Sequence, residues 1–335
     1  MDRFTQPYFL FSFFSSFLLF SFSFAAFDLA TIPFHDGFTY LWGKENVIPS
    51  LDGNTVKLII HEHSGSGFKS IDMYTSGFFS AEIKLPSNYF ATAGVCVTFY
   101  TTSIDVFDRR RHDELDFEFL GNKAGKPWQF QTNLFGNGTS GREERYDLWF
   151  DPTKEYHRYS ILWTEINIIF FVDEIPIREV LRNKQMENNY PSKPMYLYAT
   201  IWDASKWAIH EGNRKVDYSY GPFIATYKNL ILKGCIFDPI EVPDDEFCSE
   251  NLKAQDYAIM NPLRRLKMQN FRQRFMSYSY CYHTYRYPVP PPECVIVSKE
   301  KQMFNENGML KVGRSRRRHS KRRGRASTTM GHMMF

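Results

Sequence analysis

Residues 112–121 read H-D-E-L-D-F-E-F-L-G, so that Glu114, Asp116 and Glu118 alternate with Leu115, Phe117 and Phe119. A period of two marks a β-strand with different chemistry on its two faces. One face packs into a core and the other presents three carboxylates in a row. Like charges side by side repel and raise one another's pKa values, so the row adds nothing to stability and asks for a function. Retaining glycoside cleavage fits it. That chemistry needs two carboxyl groups about 5–5.5 Å apart, one a nucleophile and the other a general acid, then base. Strand positions i and i+4 have Cα atoms roughly 13 Å apart, and side chains leaning together across a concave sheet close most of that gap. Asp116, between them, is placed to orient the nucleophile, and its charge would help keep the acid protonated. Spacing alone leaves the roles of Glu114 and Glu118 interchangeable. Two other readings of these ten residues stay open: a solvated acidic strand face, and a divalent-cation site using His112 with the carboxylates.

Outward from this strand the chain keeps the same grammar. Segments 77–85, 94–102, 128–135, 156–163, 168–175 and 195–201 are rich in Val, Ile, Phe, Tyr and Thr. They are separated by turn residues such as Pro86-Ser87-Asn88, Gly121-Asn122 and Gly136-Asn137-Gly138. No ten-residue helical pattern interrupts them before Cys235. Many short strands at modest spacing imply an all-β sandwich. With 335 residues the chain accommodates one large sandwich plus extensions. Aromatic residues make up 17%, enough to supply both a core and flat rings on which sugar faces stack. One helical pattern follows Asn261-Pro262, an N-cap and a first-turn proline, with Leu263, Leu266, Phe271 and Phe275 expected on one face.

The carboxylate strand resembles the active-site strand of glycoside hydrolase family 16, in the form found in plant xyloglucan endotransglucosylase/hydrolases. The resemblance implies that Glu114 is the nucleophile, Asp116 a helper and Glu118 the acid/base. It sharpens the sandwich to a jelly roll whose concave face carries a long open cleft, with no metal and no organic cofactor. It also implies a set of residues facing the xyloglucan chain. These are Gln131, Thr132 and Asn133 on the next strand, Arg142 and Glu143 after a Gly-rich turn, Trp202, Lys206, Trp207 and Glu211 in and after I-W-D-A-S-K-W, and Arg286 farther on. Read without the family, paired Trp rings suit saccharide stacking, although a Trp is as readily core, and Gln131 and Asn133 share a strand face. Three departures fall on this set: Ile209-His210-Glu211 where the family has a small residue or Arg and then glycines, Gly141 in place of Asp before the R-E pair, and His283 in place of Asp. They bear on acceptor preference rather than on reaction class.

The remaining features concern compartment and partners. Seventeen residues, 8–24, form an apolar Phe/Leu/Ser run followed by Ala25 and Ala26, as in a secretory signal cleaved there, with an uncleaved anchor as the alternative. Asn137-Gly138-Thr139 is an N-glycosylation sequon in a Gly-rich loop, whereas Asn122-Lys123-Ala124 is not one. Cys96 sits alone in an apolar strand as a small buried hydrophobe. Cys235, Cys248, Cys281 and Cys294 allow three connectivities, and the family resemblance implies Cys235–Cys248 and Cys281–Cys294. Residues 311–335 hold nine Lys/Arg and no acid, leaving the rest of the chain at +4 − 9 = −5. Such a run is expected to be disordered, and behind a signal peptide it would meet acidic wall polysaccharide rather than nucleic acid.

The expected organisation is a signal over 1–26, a catalytic jelly roll over 27–235, a two-disulfide extension over 236–298 and a basic tail over 299–335. The expected protein is a secreted monomer of the cell wall, free of the membrane once the signal is cleaved, acting on xyloglucan donor and acceptor chains. A mixed-linkage glucan or xyloglucan hydrolase is one alternative, and a non-catalytic glucan-binding module is another.

Overall fold

The computed structural model describes residues 29–87, 91–104, 108, 110–206, 215–240 and 245–311. A short helix α1 (Phe34–Gly37) leads into β1 (Phe38–Trp42), β2 (Val47–Pro49), β3 (Thr55–Ile60), β4 (Ser66–Ser70), β5 (Tyr74–Lys84) and β6 (Val95–Thr102). The carboxylate strand is β7 (Glu114–Leu120). It is followed by β8 (Gln129–Phe135), β9 (Glu144–Tyr146), β10 (His157–Trp163), β11 (Asn167–Val172), β12 (Ile175–Leu181), β13 (Tyr196–Asp203) and β14 (Phe223–Ile236). Then come α2 (Asp245–Lys253), α3 (Pro262–Phe275), β15 (Met276–Ser279) and α4 (Ser298–Lys301).

The strands form two antiparallel sheets, ordered β1-β4-β13-β6-β7-β8-β9-β15 and β12-β11-β10-β5-β14-β3-β2. This is the jelly-roll sandwich that the strand pattern and the resemblance anticipate. Alternation places the core. Leu115, Phe117 and Phe119 from β7, Phe130 and Leu134 from β8, and Val97 and Phe99 from β6 are fully buried among Tyr159, Ile161 and Phe170 of the second sheet. Phe117 and Phe119 alone cover ring area worth several kcal/mol of transfer free energy. That burial fixes the register of β7, and a one-residue slip would drive Asp116 and Glu118 into the core.

Segment 168–175, expected as one strand, is two. Asp173 and Glu174 both take positive φ (48° and 63°) and turn β11 back into β12 as a tight hairpin. The Asn261 side chain caps α3 by accepting from the Arg264 N–H, with Pro262 in the first turn. The expected four-residue apolar face is not met. Phe271 is buried and Phe275 half-buried, but Leu263 and Leu266 are exposed. At about 100° per residue, Leu266 lies about 140° around the helix from Phe271, so one stripe cannot hold both. The two disulfides are Cys235–Cys248 and Cys281–Cys294, and Cys96 is a buried free thiol.

The C-terminal segment is not a separate body. Its strand β15 pairs with β9 and completes the first sheet. Behind it, Glu144 of β9 receives both Nη atoms of Arg272 from α3 (2.7 and 2.9 Å), the Tyr146 hydroxyl (2.5 Å) and the Ser279 hydroxyl (2.8 Å). Arg178 of β12 lies 3.7 Å away, and Arg272 also bonds Glu300 of α4 at 3.0 Å. Burial alone would raise the Glu144 pKa, but Arg272 and Arg178 overcome it and hold the group down at about 2. Order therefore runs past the expected boundary at 299. Residues 298–311 include α4, buried Met303 and Phe304, and a bridge from Met309 to Tyr278. Segments 1–28 and 312–335 lie outside the described residues.

Candidate active site

The concave face is built by the even-numbered residues of β7 and their register partners. Glu114 faces Thr102 and Phe135, Asp116 faces Tyr100 and Asn133, and Glu118 faces Thr98 and Gln131. On β13 beyond, Tyr198 lies opposite Tyr100 and Trp202 opposite Cys96. The Tyr100 and Tyr198 rings stack at 5.2 Å, and Lys69 of β4 lies 4.2 Å from the Tyr196 ring. Across the carboxylates, Glu143 just before β9 and Arg145 within it turn to the same face, next to Tyr278 of β15.

The three carboxylates have separate environments. Asp116 is hydrogen-bonded to Glu114; burial, then the charges of Glu114 and Glu118, push its pKa well up. Burial also raises Glu118, to about 7. Glu114 and Glu143 add to the rise, while the bond from Gln131 and the charge of Arg145 oppose it. The Gln131 Nε2 donates to Glu118 Oε2 at 2.5 Å. Sequence reasoning assigned the charge that keeps the acid protonated to Asp116. Here burial favours the neutral form of Asp116, and the charges acting on Glu118 are those of Glu114 and Glu143. Two acids separated in this way, one kept protonated to near neutrality and one fed a hydrogen bond, can divide the acid and nucleophile roles. The His112 Nε2 stands 3.7 Å from Glu114, its ring against Phe135. Among the described residues no group of three or more His, Cys, Asp or Glu is arranged to hold a metal ion.

The other expected contact residues divide. Gln131, Asn133 and Glu143 face the cleft, and Arg286 joins them, its Nη1 3.2 Å from Glu143. Trp202 is half-buried at the cleft end against Cys96, Leu120 and Ala204. Thr132 points the other way. Its hydroxyl is buried and accepts from Arg178 Nη1 at 3.0 Å, as alternation between Gln131 and Asn133 requires. Arg142 is also turned inward, donating to the Asn189 carbonyl (3.0 Å) and Thr139 hydroxyl (2.9 Å) and lying 3.6 Å from Glu293. It clamps loops together. Lys206 is exposed just beyond β13; Trp207, Ile209, His210 and Glu211 lie outside the described residues.

Gly141 has φ +86°, and a Cβ there would fall 2.2 Å from Arg286 Nη2, so Gly in this position lets Arg286 and Tyr287 settle over the turn. Asn137 (φ 52°) and Gly138 (φ 78°) form the turn of a tight hairpin, and the Asn137 amide oxygen accepts from Lys193 Nζ at 3.3 Å. Sequence reading missed Arg145 and Tyr278. The run R-E-E-R-Y carries the signal for Arg145, because period two puts it on the face of Glu143.

An antiparallel sandwich with a row of carboxylates on its concave sheet, one of them held protonated to near neutrality, defines a jelly-roll glycosidase. Residues 34–220 match the family described as glycosyl hydrolases family 16, and residues 248–294 match the xyloglucan endo-transglycosylase (XET) C-terminus. Relatives include probable xyloglucan endotransglucosylase/hydrolase protein 30 of Arabidopsis thaliana, 55% identical over 89% of this chain and 87% of that protein. Xyloglucan endotransglucosylase/hydrolase protein 2 of the same plant is 40% identical over 83% and 94%. Among solved structures, a Bacillus licheniformis β-glucanase superposes with a TM-score of 0.49 at 20% identity, covering 61% of this chain and 97% of that one. The chain belongs to glycosyl hydrolase family 16, within the xyloglucan endotransglucosylase/hydrolases.

Proposed function

We propose that this protein is a xyloglucan endotransglucosylase working by double displacement. The observation that carries the reading is the division of labour on β7: Glu118 raised to about 7 and Asp116 hydrogen-bonded to Glu114. Glu114 attacks the anomeric carbon of a backbone β-1,4-glucosyl bond while protonated Glu118 gives its proton to the departing glycosidic oxygen. A glycosyl-enzyme ester on Glu114 and a Glu118 carboxylate result. Asp116, favoured neutral, donates to Glu114 and holds its carboxylate in line. Glu118 then takes the proton of an incoming hydroxyl, whose oxygen displaces Glu114 and restores the original configuration. A xyloglucan hydroxyl gives transfer and water gives hydrolysis, and the identity of the relatives supports transfer.

Gln131, Asn133, Glu143 and Arg286 line the arm of the cleft built partly by the C-terminal segment, which we assign to the acceptor; Trp202 would stack on sugar at the other end. A fluorescent xyloglucan oligosaccharide offered with xyloglucan polymer tests this. Label entering polymer without new reducing ends establishes transfer. Reducing ends without label make the protein a hydrolase, and the absence of both signals refutes the enzymatic reading.

The leader-like 1–26 segment and the sequon support a secreted wall protein with glycan on Asn137. The basic residues of 311–335 suit binding to acidic wall polysaccharide, and the chain enters that segment beside β15, where Leu310 N donates to Ser277 O. Deleting residues 312–335 should abolish salt-sensitive retention on pectin. Unchanged retention would refute the tether.

A further inference from the structure

Gln131 donates to Glu118, but nothing in its own shape fixes that choice. A glutamine amide has a donor end and an acceptor end of nearly equal size, and either can face a neighbour. Arg145, opposite Gln131 in the β8–β9 ladder, decides between them. A guanidinium has only donors. Its Nε donates to Gln131 Oε1 at 3.0 Å, which occupies the acceptor end and leaves the NH2 for Glu118. Arg145 is held in turn. Its guanidinium lies over the Tyr278 ring at 5.0 Å, and the Tyr278 hydroxyl bonds His283 Nδ1 at 3.0 Å.

We propose that Arg145, seated on Tyr278, is a positioning residue that locks the Gln131 amide in its donating orientation, so that the C-terminal segment tunes the acid/base Glu118. The proposal rests on the assignment of Glu118 made above. The charged and titratable groups around Glu118 are Glu114 and Asp116 on its own strand, the Cys96 thiol on β6, Arg145 on β9 and Glu143 just before it. Arg286 pairs with Glu143, and Arg178 acts on Asp116 from β12. Burial, Glu114 and Glu143 favour protonated Glu118, and the Gln131 bond and Arg145 oppose them. Losing the donor therefore leaves Glu118 protonated to higher pH.

The test is the pH profile of kcat/KM for transfer in the full chain. Arg145→Met should move the alkaline limb up by about one pH unit, the worth of one hydrogen bond to a charged group. In a Gln131→Met background the same substitution should move the limb clearly less, by only what the direct charge of Arg145 supplies. Tyr278→Leu, which removes the seat but not the cation, should shift the limb in the same direction by less, and it serves if Arg145→Met does not fold. A uniform loss of activity with the limb unmoved would make Arg145 a substrate contact and overturn the proposal. An equal shift in both backgrounds would overturn it too, since the charge would then act directly rather than through the amide. A limb that survives Glu118→Gln would instead overturn the assignment of Glu118, and the proposal with it.

Discussion

Replacing Arg272 by Met tests how the C-terminal segment is bound to the sandwich. The Glu144 carboxyl lies at about 2 in the folded protein against an ordinary 4.5. That depression corresponds to about 3 kcal/mol of preference for the charged form in the fold. Because the folded pKa is depressed, this stabilisation is fully present above pH 4.5 and is lost as pH falls from there toward 2. Among the groups opposing burial, the charge of Arg272 is the largest. Its removal leaves the carboxylate the hydroxyls of Tyr146 and Ser279 and the charge of Arg178 at 3.7 Å, and breaking a buried pair on one side costs about 3–5 kcal/mol. Thermal or urea unfolding at pH 6 should show Arg272→Met less stable by about 3 kcal/mol, or a melting point lower by about 4–5 °C for a chain of this size. The gap should narrow when both proteins are measured at pH 3, where wild-type Glu144 has begun to lose its advantage. A variant within about 1 kcal/mol of wild type at pH 6, or a gap independent of pH, would refute the reasoning.

Other consequences are as direct. With Glu118 raised to about 7, kcat/KM for transfer should fall on the alkaline side with a midpoint near pH 7, and a midpoint close to an ordinary carboxyl would contradict the buried environment. Gly141→Asp forces a side chain at φ +86° and 2.2 Å from Arg286 Nη2, so the acceptor KM should rise several-fold with hydrolysis little changed; an unaltered acceptor KM would mean Arg286 holds no sugar. Thr132→Val removes one acceptor from buried Arg178, and unfolding should show a loss of about 1–2 kcal/mol while acceptor KM stays put. A changed KM with unchanged stability would return Thr132 to the cleft.

Much of the site was legible because strand periodicity is local. The alternation E-L-D-F-E-F fixes which side chains share a face, and Q-T-N on the next strand follows the same rule. The same rule, applied strictly, excludes Thr132 and would have included Arg145. Legibility failed where a side chain's fate is set by a distant element. Arg142 beside Glu143 looks like a cleft residue, but it is drawn inward by Asn189 and Glu293, more than forty residues away. Asp116 looks like one charge among three, and only burial reveals which of them gives up its charge. The hairpin at Asp173-Glu174 was hidden because neither residue is the glycine or asparagine that positive φ usually selects. The order of residues 298–311 was hidden because it comes from Glu300 reaching Arg272 and from Phe304 stacking on Tyr282 rather than from a local pattern.

The pairing of β15 with β9 has a consequence for how the molecule is made. About 130 residues separate the two strands, so at about 5–20 residues per second the ribosome needs roughly 7–26 s to supply the partner after β9 emerges. Throughout that interval the outer edge of β9 offers unpaired N–H and C=O groups, an invitation to pair with another chain. Nascent molecules crowded on one message are thus exposed to swapping this strand among themselves. Truncation after residue 236 would make that interval permanent.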